Sequence, residues 1–353
     1  MPLSVHKRQI GTRDVVIETG RLAQQANGSA LIQTGDSAVL VTATMSKPRE
    51  GIDFFPLTID FEERLYARGK IPGNFFRREG RPSFDAILTD RLTDRPLRPL
   101  FPKGFRNEVQ IIATALSADQ ENPLDMLVLN GASAALSMSD IPFGGPIGAT
   151  RVGYIDGDYL INPTYQQLEV SQLDLVVAGS RDGVMMMEAG ASELSEAQVL
   201  QGIQIAQDAN LEIIALQEEI VSEIGNEKVG FTAGGVSPEA VEQASAIVGD
   251  GIARTLDKSD GKADQAELLD GIKANLAEQM EDDAKDAFEV LLEREGVRAA
   301  RVVDLDQSCA LLPIGGKQLR RRQRQAFVAA RPGSSSTRRT RHNTRVTLPS
   351  RTG

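Results

Sequence analysis

Two phenylalanines, Phe75 and Phe76, stand directly before two arginines, Arg77 and Arg78, in a stretch opened by Pro72-Gly73-Asn74. Proline, glycine and asparagine in succession are turn chemistry, so the rings are expected on an exposed loop. Rings offered to solvent suit stacking on nucleobases, worth on the order of 1 to 3 kcal/mol per base whatever the sequence, and adjacent guanidiniums suit phosphate oxygens. Arg81 follows in the same stretch. Arg91, Arg95 and Arg98 then recur at spacings of four and three, which would line one helix face if the helix continued past Pro96. Two blander assignments compete: the rings fold back into a core, or the three later arginines pair with Asp90 and Asp94.

The charge of the chain makes this stretch stand out. Its 353 residues carry 39 Lys and Arg against 49 Asp and Glu, a net charge of −10. Residues 297 to 353 hold 13 basic and 2 acidic side chains, which leaves 26 basic against 47 acidic in the first 296 residues. Inside that acidic part, the window from Arg64 to Arg106 holds 11 basic and 4 acidic residues. A solvated face would account for a basic island, and so would a phosphate-rich ligand such as RNA, attracted locally despite the negative total.

Other chemistries are excluded by residue supply. Only two histidines, His6 and His342, are present, near opposite ends, so a Ser-His-Asp triad, a Cys-His pair and an HExxH zinc helix are not expected. The single cysteine, Cys309, rules out an intrachain disulfide framework and a thiolate-rich metal site, and favours a reducing compartment. Gly315-Gly316-Lys317 lacks the earlier glycine of a P-loop and is followed by Gln318. The start has no apolar secretory stretch, and the run from Met126 to Met138 is too short to span a bilayer. The expectation is a cytoplasmic protein whose chemistry runs on carboxylates, arginines and Mg²⁺.

The elements that must position these residues follow from period and punctuation. From Asp14 to Asp60 the chain reads as a meander of strands: RDVVIETG, SALIQ and SAVLVTATM about a Thr34-Gly35-Asp36 turn, then DFFPLTID. Ser83 should cap a helix that turns Ile87, Leu88 and Leu92 inward and stops before Pro96. EVQIIATALS alternates as a strand, and LDMLVLNGASAALSMS is a buried helix with small residues for close packing. Two hairpins follow, ATRVGYI with DYLINP across Asp156-Gly157, and DLVVAG with GVMMMEAG across Ser180 to Asp182. Ser195 and Gln198 form a capping box for a long helix ending at Gly225, and residues 226 to 236 read as a glycine-rich linker. Ser237-Pro238 opens an all-helical acidic module to Glu295, with 16 acids against 6 bases from Val236 to Gly296 and apolar positions Leu268, Leu269, Ile272, Leu276, Met280, Phe288, Leu291 and Leu292. Past Gly296 no period is sustained, and a disordered basic tail is expected.

The run FFRREGRPS, then DRLTDRPLRPLFPKGF, the helix NGASAALSMSDIPFGGPIGA and the strand LDLVVAGSRDG together resemble the amino-terminal half of bacterial polynucleotide phosphorylase, over roughly residues 5 to 296. The resemblance implies an α+β fold: a first ribonuclease PH-like core of mixed sheets with packed helices, in two parts over 1–145 and 146–230. An acidic all-helical domain over 231–296 and a basic tail over 297–353 follow. It implies phosphate-dependent 3′→5′ degradation of RNA to nucleoside diphosphates, with inorganic phosphate as co-substrate and Mg²⁺ assisting, in ring-shaped homotrimers with single-stranded RNA as partner. Phe75, Phe76, Arg77 and Arg78 match the family's first-core loop, which constricts a central channel and grips RNA.

In the family the competent site belongs to a second core, where serines after Asn-Gly hold phosphate and a pattern Asp-x5-Asp-x-Lys supplies metal ligands and a lysine. The counterparts here, aligned on Gly131-Ala132-Ser133 and Val177-Ala178-Gly179, read Pro123-Leu124-Asp125 and Leu168-x5-Asp174-x-Val176. No catalytic or metal-binding residue is therefore expected in this chain, Asp174 alone being a weak ligand. The RNA-binding candidates are Phe75, Phe76, Arg77, Arg78, Arg81, Arg91, Arg95 and Arg98. The second core should begin near Arg301; Arg301-Val302-Val303-Asp304 faintly resembles its first residues before the sequence departs, which a shifted reading frame would explain. Three readings stay open: the phosphorolytic exoribonuclease, a non-catalytic RNA-binding or assembly fragment, and a product that folds partly and does neither.

Overall fold

The computed structural model describes residues 3–48, 52, 54–73, 75, 79–231, 238–258, 262–280, 287, 288 and 290–292. Of the expected RNA-contacting residues, Phe76, Arg77 and Arg78 lie outside the described residues, as does the tail over 297–353.

Alternating apolar positions build a six-stranded sheet. β1 (Ser4–Ile10), β2 (Arg13–Thr19), β3 (Gly28–Thr34) and β4 (Ser37–Ser46) run as an antiparallel meander, turned between β3 and β4 by Gly35 at φ +60°. β1 precedes the first strand expected from the sequence. It is an edge strand that buries only Ser4 and Ile10, so the apolar alternation that marks a strand is missing. β5 (Leu57–Glu62) does not extend the meander as expected. It lies at the far edge and pairs in parallel with β6 (Glu108–Ser117), which inserts beside β4, giving the order β1-β2-β3-β4-β6-β5. Parallel pairing needs a long crossover, and the basic stretch with the helix after it supplies one.

That helix, α1 (Phe84–Leu97), begins where expected: Ser83 Oγ accepts the Ala86 N–H at 3.0 Å. Two expectations fail. The helix continues through Pro96, whose ring is buried, and it turns Ala86, Thr89, Leu92, Thr93 and Leu97 inward. Ile87 and Leu88 are 45% and 46% exposed. Small residues on the inner face let the helix lie against β5, and the larger side chains are left outside.

α2 (Asp125–Met138) is buried from Met126 onward and packs across β3 and β4. The approach is close enough that a Cβ on Gly28 would stand 2.0 Å from the Ala135 carbonyl oxygen. A four-stranded antiparallel sheet in the order β10-β9-β7-β8 follows, from β7 (Gly148–Ile155), β8 (Asp158–Ile161), β9 (Leu173–Ser180) and β10 (Gly183–Ala191). Both hairpins expected from the sequence form. A short α3 (Tyr165–Val170), capped by Thr164 and Gln167, intervenes; six residues give too little period to read. α4 (Glu196–Ile224) starts on the Ser195–Gln198 capping box and packs on β7 and β9.

Buried amides join the two sheets. The Asn130 side chain exchanges hydrogen bonds of 2.8 Å with the backbone of Ala149, and Gln217 accepts from Ser133 Oγ at 2.7 Å while donating to the Ile147 carbonyl at 2.8 Å. One apolar core runs through both sheets and both long helices. The first part of the expected linker is fastened to this core. The N–H groups of Asn226 and Val229 reach the carbonyls of Met138 and Asp140 at 3.0 and 2.8 Å. Lys228 Nζ donates to the carbonyls of Leu136, Ser137 and Ser139 at 2.9, 2.9 and 2.7 Å, satisfying the end of α2.

α5 (Pro238–Val248), α6 (Gly251–Lys258) and α7 (Lys262–Gln279) form the helical module with its own core of Ala244, Ile252, Leu276, Ala287, Phe288 and Leu291. Leu268, expected inside, is 46% exposed.

Candidate functional site: a charged cleft beside the basic loop

The crossover that places β5 beside β6 brings α1 over the edge of the first sheet, facing β9 and β10 of the second. Between them lies a cleft of about 1160 Å³. Two ion-pair networks and the carboxyl of Asp90 line it.

At its mouth, Arg64 bridges Glu62 and Glu79, the latter at 3.0 Å. The Leu65 N–H and this guanidinium hold the Glu79 carboxyl below its ordinary range. Opposite, the Arg151 guanidinium on β7 lies between Asp125, the first residue of α2, at 2.5 Å and Asp174 on β9 at 3.1 Å. Asp125 also accepts its neighbour's N–H, from Met126, at 2.8 Å. Burial pushes the Asp174 carboxyl up, with Arg151 opposing. On the α1 side, the Asp90 carboxylate accepts the Phe61 N–H at 2.6 Å. Burial raises Asp90 to about 6, and the charge of Asp60 adds in the same direction.

The structure distributes the sequence-derived candidates unevenly. Phe75 is 95% exposed. Arg81, Arg91 and Arg95 line the cleft. Arg95 pairs across it with Glu188 on β10 at 2.8 Å rather than with Asp90 or Asp94. Arg98 lies outside the cleft: it holds Asp94 through Nε and Nη2, donates to the carbonyls of Phe55 and Leu57 at 3.0 and 3.1 Å, and stands 5.7 Å over the Phe55 ring. Its donors brace the start of β5. Arg81 and Arg91, together with Arg68, which was not singled out from the sequence, have no ion-pair partner among the described residues.

Sequence reasoning also missed Arg151 as the centre of its triangle. The available signal was a lone cation inside the otherwise uncharged strand run ATRVGYI. Chemically the cleft is two-toned. Its deep guanidiniums are neutralised by its own carboxylates, and the partially positive end of α2 meets the carboxylate of Asp125. Capacity for an outside anion rests with the unpaired guanidiniums nearer the basic loop.

Two halves of one fold family account for this architecture. Residues 11–142 match the model described as 3′ exoribonuclease family, domain 1, and residues 145–209 match domain 2 of the same family. The two matches together span more than half of the chain, and the chain belongs to the 3′ exoribonuclease, or RNase PH, family.

Within it, curated relatives named polyribonucleotide nucleotidyltransferase are similar over long stretches. That of Heliobacterium modesticaldum is 50% identical over 309 residues, 86% of this chain and 43% of that protein. That of Halothermothrix orenii is 52% identical over 265 residues, 75% of this chain and 37% of that protein. The chain thus spans about two fifths of the length of these relatives. A solved structure, rice (Oryza sativa) Rrp46, shares 15% identity, covering 62% of this chain and 94% of its own at a TM-score of 0.47.

Proposed function

We propose that the chain is the RNA-holding first part of a phosphate-dependent 3′→5′ exoribonuclease. In that reaction an oxygen of inorganic phosphate attacks the last phosphodiester phosphorus, the bond to the 3′ oxygen breaks, and a nucleoside diphosphate leaves. The division of labour rests on one observation, the Asp125–Arg151–Asp174 triangle. A phosphate nucleophile needs N–H or hydroxyl donors and an available cation. At the start of α2 the available cation is taken by two carboxylates, and a third anion there meets their charge. Nor do these carboxylates fit Mg²⁺, which would have to displace a guanidinium to gain two oxygen ligands. We therefore assign turnover, with its Mg²⁺ and phosphate, to parts of the longer relatives that this chain does not span.

The chain's own part is to hold single-stranded RNA through Phe75, Phe76, Arg77 and Arg78, with Arg81, Arg91 and Arg95 behind them. Ring-shaped homotrimers and a cytoplasmic setting belong to the same reading. No described helix is long and apolar enough to cross a membrane. Single-stranded RNA binding by the full chain, measured against salt, tests this reading. Arg77→Ala and Arg78→Ala should each weaken binding and reduce the salt slope by about 0.7, one phosphate's worth. Phe75→Ala should weaken binding and leave the slope unchanged, because stacking releases no counterion. Equal slopes in all three variants would contradict the assignment.

A further inference from the structure

One carboxylate sits where the charge pattern argues against it. Between Glu63 and Asp85 the chain carries six basic residues and a single acid, Glu79, directly after Arg77 and Arg78. Left free, that acid would repel a phosphate backbone and draw the neighbouring guanidiniums to itself. Neither of its oxygens is free. Oε1 accepts the Leu65 N–H at 2.9 Å and Oε2 accepts from Arg64 Nη1 at 3.0 Å, across 14 and 15 residues of chain. The Glu79 and Arg64 side chains are 25% and 33% exposed, so the bridge is partly withdrawn from water. The leading limb of the loop is itself fixed to the first sheet. A single 3-10 turn over Leu65–Arg68 ends on Gly69 at φ +68°, the Ala118 N–H reaches the Ala67 carbonyl at 3.0 Å, and Nη2 of Arg64 pairs with Glu62 at the end of β5. The Ser83 hydroxyl adds a second rung by donating to Glu63.

We infer that Glu79 is a positioning residue: it staples the returning limb of the basic loop to Arg64 and Leu65, closes residues 66–78 at their neck, and so readies the loop for RNA. The inference rests on the RNA-holding reading above and names the group that prepares the loop, a side chain that touches no RNA itself. Tying the two ends of a loop together removes conformational freedom that binding would otherwise have to remove, which raises affinity without adding a contact. The bridge suits that task because a charge-assisted hydrogen bond and a backbone N–H act on one carboxylate. The same two donors hold the carboxyl below its ordinary range, so it stays ionised at neutral pH. With its charge directed to Arg64, the acid leaves the other cations of the loop to meet phosphates.

The test compares variants of the full chain in binding a 5′-labelled single-stranded oligoadenylate, with the folded fraction of each sample fixed by its urea midpoint. By charge alone, removing an acid from a basic loop should tighten RNA binding. The staple predicts the opposite sign. Glu79→Ala should bind about tenfold more weakly, the cost of ordering a loop whose neck is open. Glu79→Gln still offers an oxygen to the Leu65 N–H and should recover part of the loss. Arg64→Ala should weaken binding to a similar extent, and the double variant Arg64→Ala, Glu79→Ala no further, because either change opens the same bridge. Trypsin should cut faster at Lys70 in both single variants. If Arg77→Ala weakens binding while Glu79→Ala leaves it unchanged or tightens it, the staple is wrong and the loop assignment stands. If neither variant weakens binding, the RNA-holding reading itself fails. A double variant that recovers wild-type affinity would mean that only net charge counts, and would overturn the inference.

Discussion

Asp125 occupies a place where a helix start and a guanidinium would otherwise welcome an anion from outside. Its side chain and that of Arg151 are 14% and 16% exposed, so the pair is largely withdrawn from water. Removing one member of such a pair leaves the other charge under-compensated. Asp125→Ala should therefore destabilise the chain by about 3 kcal/mol, at the low end for a broken buried pair because Asp174 remains on Arg151. Urea unfolding monitored by far-ultraviolet circular dichroism would measure it. Asp90 gives a pH signature. Folding raises its carboxyl from the ordinary 3.8 to about 6, so the folded state holds this proton more tightly than the unfolded chain does. The associated stability is complete below the unfolded value and is lost as pH rises through about 6. Asp90→Asn keeps an oxygen for the Phe61 N–H and carries no charge. It should unfold at higher urea than the wild type at pH 7.5, with the gap closing towards pH 4. A gap independent of pH would mean that Asp90 titrates normally.

The elements follow local rules that can be broken one at a time. Ser83→Ala removes the hydroxyl that accepts the Ala86 N–H and should cost about 1 kcal/mol. Gly28→Ala sets a methyl against the Ala135 carbonyl, where β3 and α2 must separate to admit it. A loss of about 1 to 3 kcal/mol is expected from such overpacking, read as a lower urea midpoint. Most elements were legible because their signals are local. Capping residues announce α1 and α4, turn residues mark the hairpins, and alternation outlines β6. What escaped was set by tertiary contact. β1 carries polar side chains because it lies at an edge, and β5 pairs with a strand about fifty residues later in the chain. The outward aim of Ile87 and Leu88 follows from small residues on the other face of α1, which a list of apolar positions does not weigh. The same physics hid the cleft: Arg151, Asp125 and Asp174 are separated along the chain, and only the packing of α2 against β7, with β9 paired beside β7, gathers them.

At the scale of the molecule, one core couples both sheets, and the connector is fastened to the end of α2 before the helical module begins. This arrangement leaves Arg81, Arg91 and Arg95 lining the cleft, and holds the deep Arg151 between Asp125 and Asp174. Two proposed properties meet here, that the first-core arginines and rings grip RNA and that the cleft does not turn it over. Incubating the purified full chain with a 3′-labelled single-stranded RNA, inorganic phosphate and Mg²⁺, and separating the products, tests both together. The account predicts a retarded RNA–protein complex and no phosphate-dependent nucleoside diphosphate. Sustained release of labelled nucleoside diphosphate that requires phosphate would contradict it.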